Sequence, residues 1–381
     1  MQPIWVVAGT RPEIVKLAPV LHSLRRTMVC PIHWISTGQH TDLAEQALAS
    51  FAIEPDIRLS LERSVPASGE SADSVSGVLG RLIQNIDALI VRENPAMVVV
   101  QGDTTSTIAA SLAAFGHRIP IAHVEAGLRT FDLSKPFPEE AWRTIVGQIA
   151  DLHLAPTERA ASNIIALGVP ADRVLVTGNT VIDALRWLAT HHPDKSSPEP
   201  KRRTVLVTLH RRENWGAPFE NVCRALLMLA QNMPDIDICF IAHANPKLRA
   251  LAEEALGGQE RIEILPPLDY VSFIHRMRKA TLILSDSGGV QEEAPAFGIP
   301  ALILRDSTER PEAVEAGVAQ LVGIGTMAIY DAASKLLRDE EAYRRMARVT
   351  NPFGDGTAGD QIAAAIQAFI ANGRPSRSAA A

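Results

Sequence analysis

Thr281-Leu282-Ile283-Leu284-Ser285-Asp286-Ser287-Gly288-Gly289-Val290-Gln291-Glu292-Glu293-Ala294-Pro295 decides how the rest of this chain is read. An apolar run ends in Ser-Asp-Ser-Gly-Gly and passes into a helical pattern. That is a strand feeding a helix start through a turn whose backbone can approach a ligand closely. Open N–H groups and the dipole of a helix start favour an anion there. Glu293 falls about one turn further on, where a carboxylate suits ribose hydroxyls better than phosphate. An ordinary βα turn has the same local pattern, and only the rest of the chain separates the two readings.

Outward from that turn, the pattern repeats. Apolar runs stand at Ile4–Ala8, His33–Thr37, Met97–Val100, Ile121–Val124 and Val174–Val176, with helical periodicity at Ile14–Arg26, Val75–Arg92, Thr105–Phe115 and Glu139–Ala150. Pro12 and Glu13 suit the start of the first helix. A polar, proline-rich stretch from His192 to Arg203 follows. The alternation then restarts with Thr204–Leu209, Ile236–Ala242, Ile262–Leu265, Thr281–Leu284, Ala301–Leu304 and Gln320–Val322. Short strands alternating with helices predict an α/β protein with two Rossmann-like, doubly wound parallel-sheet domains. The expected layout is residues 1–178 as the first domain, 179–203 as a connecting helix and linker, and 204–360 as the second domain. A C-terminal helix over 361–371 and a disordered tail over 372–381 complete it. Ligands bind such sheets at the carboxyl ends of the strands, so the active site is expected in the cleft between the domains. An internal echo accompanies the layout: Thr10-Arg11-Pro12-Glu13 after the first strand, Glu309-Arg310-Pro311-Glu312 after Ala301–Leu304.

Composition narrows the partners. With 381 residues, 46% hydrophobic and 21% charged, the chain has ample core for about 2–3 domains. A net charge of −6 speaks against nucleic acid or an anionic membrane. Cys30, Cys223 and Cys239 are odd in number and lack metal-ligand spacing, which predicts reduced, buried thiols in a cytoplasmic protein. No signal peptide or spanning segment is expected. Walker, zincin, EF-hand and nucleophile-elbow patterns are absent. Asp235-Ile236-Asp237 precedes an apolar strand and reads as noise.

The candidate chemistry sits at strand ends. Gly9-Thr10-Arg11-Pro12-Glu13 is not a dinucleotide fingerprint; Arg11 can fork onto a phosphate, whereas Lys16 on the next turn reads as solvated. Asp103 in Gln101-Gly102-Asp103-Thr104 has an ordinary alternative as a helix cap. Glu125, just past a buried strand, needs a partner or a task. Glu139 opens the helix that carries Arg143, where a first-turn acid is also merely favourable. Three carboxylates on one sheet edge suit general acid–base work, because like charges in a cleft push their pKa values apart. His210, beside Arg211 and Arg212, suits a ligand or acid role.

Taken in order, Gly9–Glu13, Gly102–Thr105, His123–Thr130, Pro138–Glu140, Thr177–Asp183, His210–Asn214 and Asp286–Glu293 resemble the non-hydrolysing UDP-N-acetylglucosamine 2-epimerases over nearly the whole chain. The resemblance implies a GT-B-like fold whose last helix crosses back to the first domain, catalytic residues at Asp103, Glu125, Glu139 and His210, and substrate contacts at Arg11, Lys16, Arg143, Phe273, Ser287, Gly288, Gly289 and Glu293. It also implies a homodimer, no metal and no redox cofactor, with UDP-GlcNAc, UDP-ManNAc and UDP as partners. The implied reaction is C2 epimerisation by elimination of UDP to a 2-acetamidoglucal and re-addition, for surface-polysaccharide precursors. Trp142 and Leu209 depart from the family pattern. Gln39, His40, Arg211 and His243 match part of a second, regulatory UDP-GlcNAc site, but the glutamine-bearing stretch that completes it is not found between Glu62 and Asp73. A retaining glycosyltransferase on the same fold, a hydrolysing epimerase and a non-catalytic sugar-nucleotide module stay open as alternatives.

Overall fold

A computed structural model describes residues 1–39, 42–60, 74–194, 200–211, 214–243 and 245–372. Backbone contacts divide the chain into a first unit of Met1–Leu188 with Phe353–Ala381 and a second of Ala189–Pro352.

The first unit holds a seven-stranded sheet of β1 (Ile4–Ala8), β2 (Ile32–Ser36), β3 (Ile57–Arg58), β4 (Met97–Gln101), β5 (Ile121–Val124), β6 (Leu152–Ala155) and β7 (Val174–Val176). Their spatial order is β3-β2-β1-β4-β5-β6-β7, every pairing parallel. Ile-Trp-Val-Val-Ala of β1 is buried throughout, as a parallel strand covered on both faces must be. On one face Trp5, Val7, Val98 and Val100 pack with Ile86, Leu89 and Ile108 from the helices Val75–Glu93 and Thr105–Gly116. Each fully buried large side chain there contributes roughly 1.5–3 kcal/mol.

The second unit has six strands, β8 (Arg203–Thr208), β9 (Ile236–Ile241), β10 (Ile262–Leu265), β11 (Leu282–Ser285), β12 (Ala301–Ile303) and β13 (Ala319–Leu321). Their order is β10-β9-β8-β11-β12-β13, again all parallel. Val205, Val207, Phe240 and Leu284 meet Leu226 and Leu229 of the helix Ala217–Asn232 and Ile329 of Thr326–Arg338. Phe219 and Phe240 pack edge to face at 6.1 Å, a favoured aromatic geometry.

In each sheet the chain reverses its direction of travel beside its first strand, between β1 and β4 and between β8 and β11. These are topological switch points, where side chains at the strand ends face open space.

Two features depart from the expected layout. Most of the helix Thr180–His191, read as part of a connector, belongs to the first unit, and so does 353–360. The closing helix Ala358–Ala371 begins earlier than expected because Asp183 caps it, accepting from Gly359 N at 2.9 Å and Ala358 N at 3.3 Å. Its Asp360 meets Ser23 at 2.5 Å on the helix Arg11–Thr27. Cys223 and Cys239 are buried, and burial pushes their thiols up to about 12 and about 11; Cys30 is only half-buried. Among the described residues, no helix is long and apolar enough to cross a membrane.

Candidate active site

The first unit brings its carboxylates to neighbouring strand ends. β4 and β5 pair in register through Gln101 and Val124, so Gln101-Gly102-Asp103 and Glu125 leave the sheet side by side. Glu125 is buried and adopts φ 58°, a left-handed backbone uncommon for a residue with a Cβ. One carboxylate oxygen takes the Lys16 ammonium and the other takes Gln101 Nε2. Lys16 is therefore buried and paired, contrary to its solvated reading: a turn of helix beyond Arg11 brings it over the neighbouring strand end rather than out to water.

Asp103 does not cap the next helix. Thr104 does, accepting from Thr107 N at 3.1 Å. That leaves Asp103 to pair with the buried Arg143 guanidinium, which also lies 3.5 Å from Glu140. Glu140 accepts from Thr130 N and Phe131 N, each at 3.1 Å, and so fastens the loop after β5 to the helix Glu139–Ile149. Glu139 is the first residue of that helix and half-buried. Behind Gly102 lie two buried histidines. His123 Nε2 sits 2.8 Å from Gly102 O, and its ring is 6.5 Å from that of His153. Burial drives them to about 3 and about 4, so both are neutral at pH 7.

Arg11 starts its helix after the Gly9 turn and is half-buried. Gly9 is needed there because a Cβ would lie 2.0 Å from Thr37 Oγ1 and 2.3 Å from Ser106 Oγ. Gln39 belongs to the same corner, with Oε1 2.7 Å from the Ser106 hydroxyl.

In the second unit, β11 delivers Asp286-Ser287-Gly288-Gly289 into the helix Gly288–Glu293. Glu293 is buried and accepts from Tyr270 Oη at 2.8 Å. Phe273 is half-buried on the same helix as that tyrosine, Tyr270–Arg278. A Cβ on Gly288 would meet Arg310 Nη1 at 2.7 Å. Arg310 in turn bonds the buried Glu292 at 2.6 Å and lies 3.4 Å from Glu309. Glu309 also faces Arg305 at 3.1 Å and Arg211 at 3.5 Å. These arginines outweigh its burial and pull it down to about 2.

His210 is exposed at the end of β8, its ring 6.1 Å from that of His243. His243 Nδ1 accepts from Asn245 N at 2.9 Å. Of the residues matching a regulatory site, Gln39 lies in the first unit while Arg211 and His243 lie in the second, each with a partner in its own unit. His40 and the segment 62–73 lie outside the described residues. Asp235 pairs with Arg203 and Asp237 with Arg202 on the surface, an ordinary use of that pair of acids.

Sequence reasoning did not single out Gln101, Tyr270, Asp286 or Arg310 as functional. Arg310 had a signal, since it occupies the place of Arg11 in the internal echo; Asp286 stood inside the quoted turn without a role.

Two all-parallel α/β units, with paired carboxylates and a lysine at the strand ends of one and a glycine turn with a buried glutamate in the other, define a GT-B-like protein. A family model described as UDP-N-acetylglucosamine 2-epimerase matches residues 22–367. A probable UDP-N-acetylglucosamine 2-epimerase of Ralstonia nicotianae is 43% identical, over 97% of this chain and 100% of that protein. The structure of UDP-GlcNAc 2-epimerase from Neisseria meningitidis bound to UDP-GlcNAc superposes with a TM-score of 0.89 at 37% identity, covering 96% of this chain and 100% of that one. The S. aureus MnaA–UDP co-structure gives 0.89 at 39%, over 98% and 99%. The chain belongs to the UDP-N-acetylglucosamine 2-epimerase family of enzymes.

Proposed function

We propose that this enzyme interconverts UDP-GlcNAc and UDP-ManNAc by eliminating UDP and adding it back, with no net hydrolysis. The observation that carries the reading is the pair of carboxylates at the β4 and β5 ends, each held by its own cation: Asp103 by Arg143 and Glu125 by Lys16. The C2 proton of the sugar is not next to a carbonyl, so its removal alone leaves an unstabilised carbanion. Elimination avoids that. The C2–H electrons form a C1=C2 double bond as the C1–O bond breaks, UDP takes the bonding pair, and a carboxylate takes the proton. The reverse addition delivers a proton to the other face. Asp103, Glu125 and Glu139 supply the base and the acid, a contribution of about 10²–10⁴-fold in rate.

Charge gathers on UDP as it leaves. Arg11, Arg143, His210 and the Ser287–Gly288–Gly289 turn are the groups we assign to it, since fixed donors aimed at developing charge lower the barrier. Glu293, oriented by Tyr270, suits the ribose hydroxyls, and Phe273 offers a face to the uracil. The reading places the product among precursors of surface polysaccharide.

Proton NMR of UDP-GlcNAc with the enzyme in D₂O tests this. Loss of the C2 proton signal together with UDP-ManNAc is expected. Free ManNAc with UDP would mean a hydrolysing enzyme, and UDP release only on adding an acceptor would mean a glycosyltransferase.

A further inference from the structure

Each unit carries, at its switch point, a fully buried carboxylate that the chemistry above does not use, and the two are placed alike. In the first, Glu13 accepts from Gly9 N at 3.0 Å and Thr10 N at 2.8 Å with one oxygen. Its other oxygen takes the hydroxyls of Thr104 at 2.6 Å and Thr107 at 3.1 Å. It thereby joins the turn after β1 to the helix start after β4. In the second, Asp286 accepts from His210 N at 2.9 Å with one oxygen, and from Arg211 N at 3.0 Å and Asn214 Nδ2 at 2.8 Å with the other. That joins the turn after β8 to the helix start after β11. Both are 0% exposed, and both bridge the switch point of their sheet.

A glycine-bearing turn at such a strand end is where parallel α/β folds usually present backbone N–H groups to a phosphate. In the Gly9 turn, and equally in the glycine-free turn after β8, the N–H groups are already taken by a carboxylate from inside the protein, and an ionised carboxylate has about four acceptor sites to fill. Glu13 has four donors around it and Asp286 three. Burying an ionised carboxylate without such partners would be prohibitive; with them it becomes a rigid part of the frame.

We infer that Glu13 and Asp286 are positioning residues, each filling the backbone anion seat of one turn so that the turn meets the substrate through a side chain, Arg11 in the first unit and His210 in the second. The inference rests on the proposed function for what Arg11 and His210 do; the clamp itself does not. The consequence is a division of labour: the turns after β1 and β8 meet the substrate through side chains, and after β11, where Ser287 N is taken by Ser285 Oγ, the Gly288–Gly289 backbone is left to the diphosphate.

Amide hydrogen exchange on the wild-type enzyme tests the clamp directly. Gly9, Thr10, His210 and Arg211 are expected to exchange slowly without nucleotide and to change little when UDP is added, while Gly288 and Gly289 gain protection. Fast exchange at the first four, or protection that appears there only with UDP, would overturn the inference. A double-mutant cycle tests the action through His210. Asp286→Asn places an amide donor against N–H donors and is expected to lower kcat about 10-fold or more, as for a lost hydrogen bond to a charged group. In a His210→Asn background the same change is expected to add little, because its target is gone. Full additivity would overturn it. For Glu13, alanine is expected to lose more activity than glutamine, which can still accept from Gly9 and Thr10 while donating to the threonine hydroxyls; equal losses would count against the clamp. Absence of any epimerase activity in the wild type would sink the functional reading and leave the exchange result standing.

Discussion

At the scale of single residues, the site is a set of charges whose partners decide what they do. Glu125 meets a lysine 109 positions earlier in the chain, and Asp103 meets the arginine of a helix beyond the next strand. Asp103→Asn or Glu125→Gln is expected to lower turnover about 10²-fold or more, with circular dichroism unchanged; near-normal turnover in both would remove the carboxylates from the chemistry. Glu293→Ala is expected to act on binding instead. Losing a hydrogen bond to a charged group weakens UDP by about 1.5–3 kcal/mol, roughly 10-fold or more by calorimetry, with kcat at saturation little changed. Unaltered UDP affinity would take Glu293 out of the site. The sequence showed which residue types stand at strand ends, and that sufficed to place Asp103, Glu125 and His210 just past β4, β5 and β8. It did not show pairing. Lys16 read as solvated because a lysine on an early helical turn usually is; only the folded register of β5 beside β4 brings Glu125 over it.

Secondary structure was legible where apolar residues clustered, whether buried throughout as in β1 or at a sheet edge as in β7 and β10. β1, β5, β7 and β10 fall on their expected spans, and the other expected strands lie within a residue of theirs. β6 was missed because His153 interrupts Leu152-His153-Leu154-Ala155; the strand tolerates a histidine that burial keeps neutral. β3 is a two-residue edge strand, too short to show a period. The glycine turn also behaves as an element rather than as separate residues. Gly288 gives its space to Arg310, which is tethered to Glu292 and Glu309. Gly288→Ala must push that guanidinium aside and strip the buried Glu292 of its cation. Expected losses are about 1–3 kcal/mol in stability, read from urea midpoints, together with weaker UDP binding. A variant as stable as the wild type would mean that Arg310 yields freely and the tether is slack. Gly127 is a different case: at φ 94° a Cβ would fall 2.0 Å from the carbonyl oxygen of Ala160, a backbone clash with no side chain to give way.

For the molecule as a whole, the two units carry different acid sensitivities. His123 and His153 are both in the first, their neutral forms enforced chiefly by burial. For His123 the charges of His153, Arg129 and Arg143 add to this against its bond to Gly102; for His153 those of Arg129 and Arg173 do so against the Ala150 backbone and the charge of Asp151. Their folded pKa values lie below the ordinary 6.5, so below pH 6.5 the unfolded chain binds protons that the folded unit refuses. Stability is complete above 6.5 and falls with pH, by up to about 1.4 kcal/mol per histidine for each pH unit, down to about 4 for His153 and about 3 for His123. Glu13 and Asp183, raised by burial, work in the opposite sense, since acid relieves the burial of their charge. In the second unit Glu309, depressed to about 2, contributes stability that is lost only as pH falls below its ordinary 4.5. The histidine share is separable by substitution. His153→Leu has some fixed cost, and comparing urea midpoints of the variant and wild type at pH 7 and pH 5 cancels it. Four of the five tryptophans, Trp5, Trp34, Trp142 and Trp187, lie in the first unit, so their fluorescence follows that unit. The stability deficit of the variant is expected to shrink on going from pH 7 to pH 5, because the wild type alone still refuses a proton at position 153. A deficit that stays constant between the two pH values would show that His153 titrates normally in the folded protein, and with it would fall the claim that burial keeps this histidine neutral.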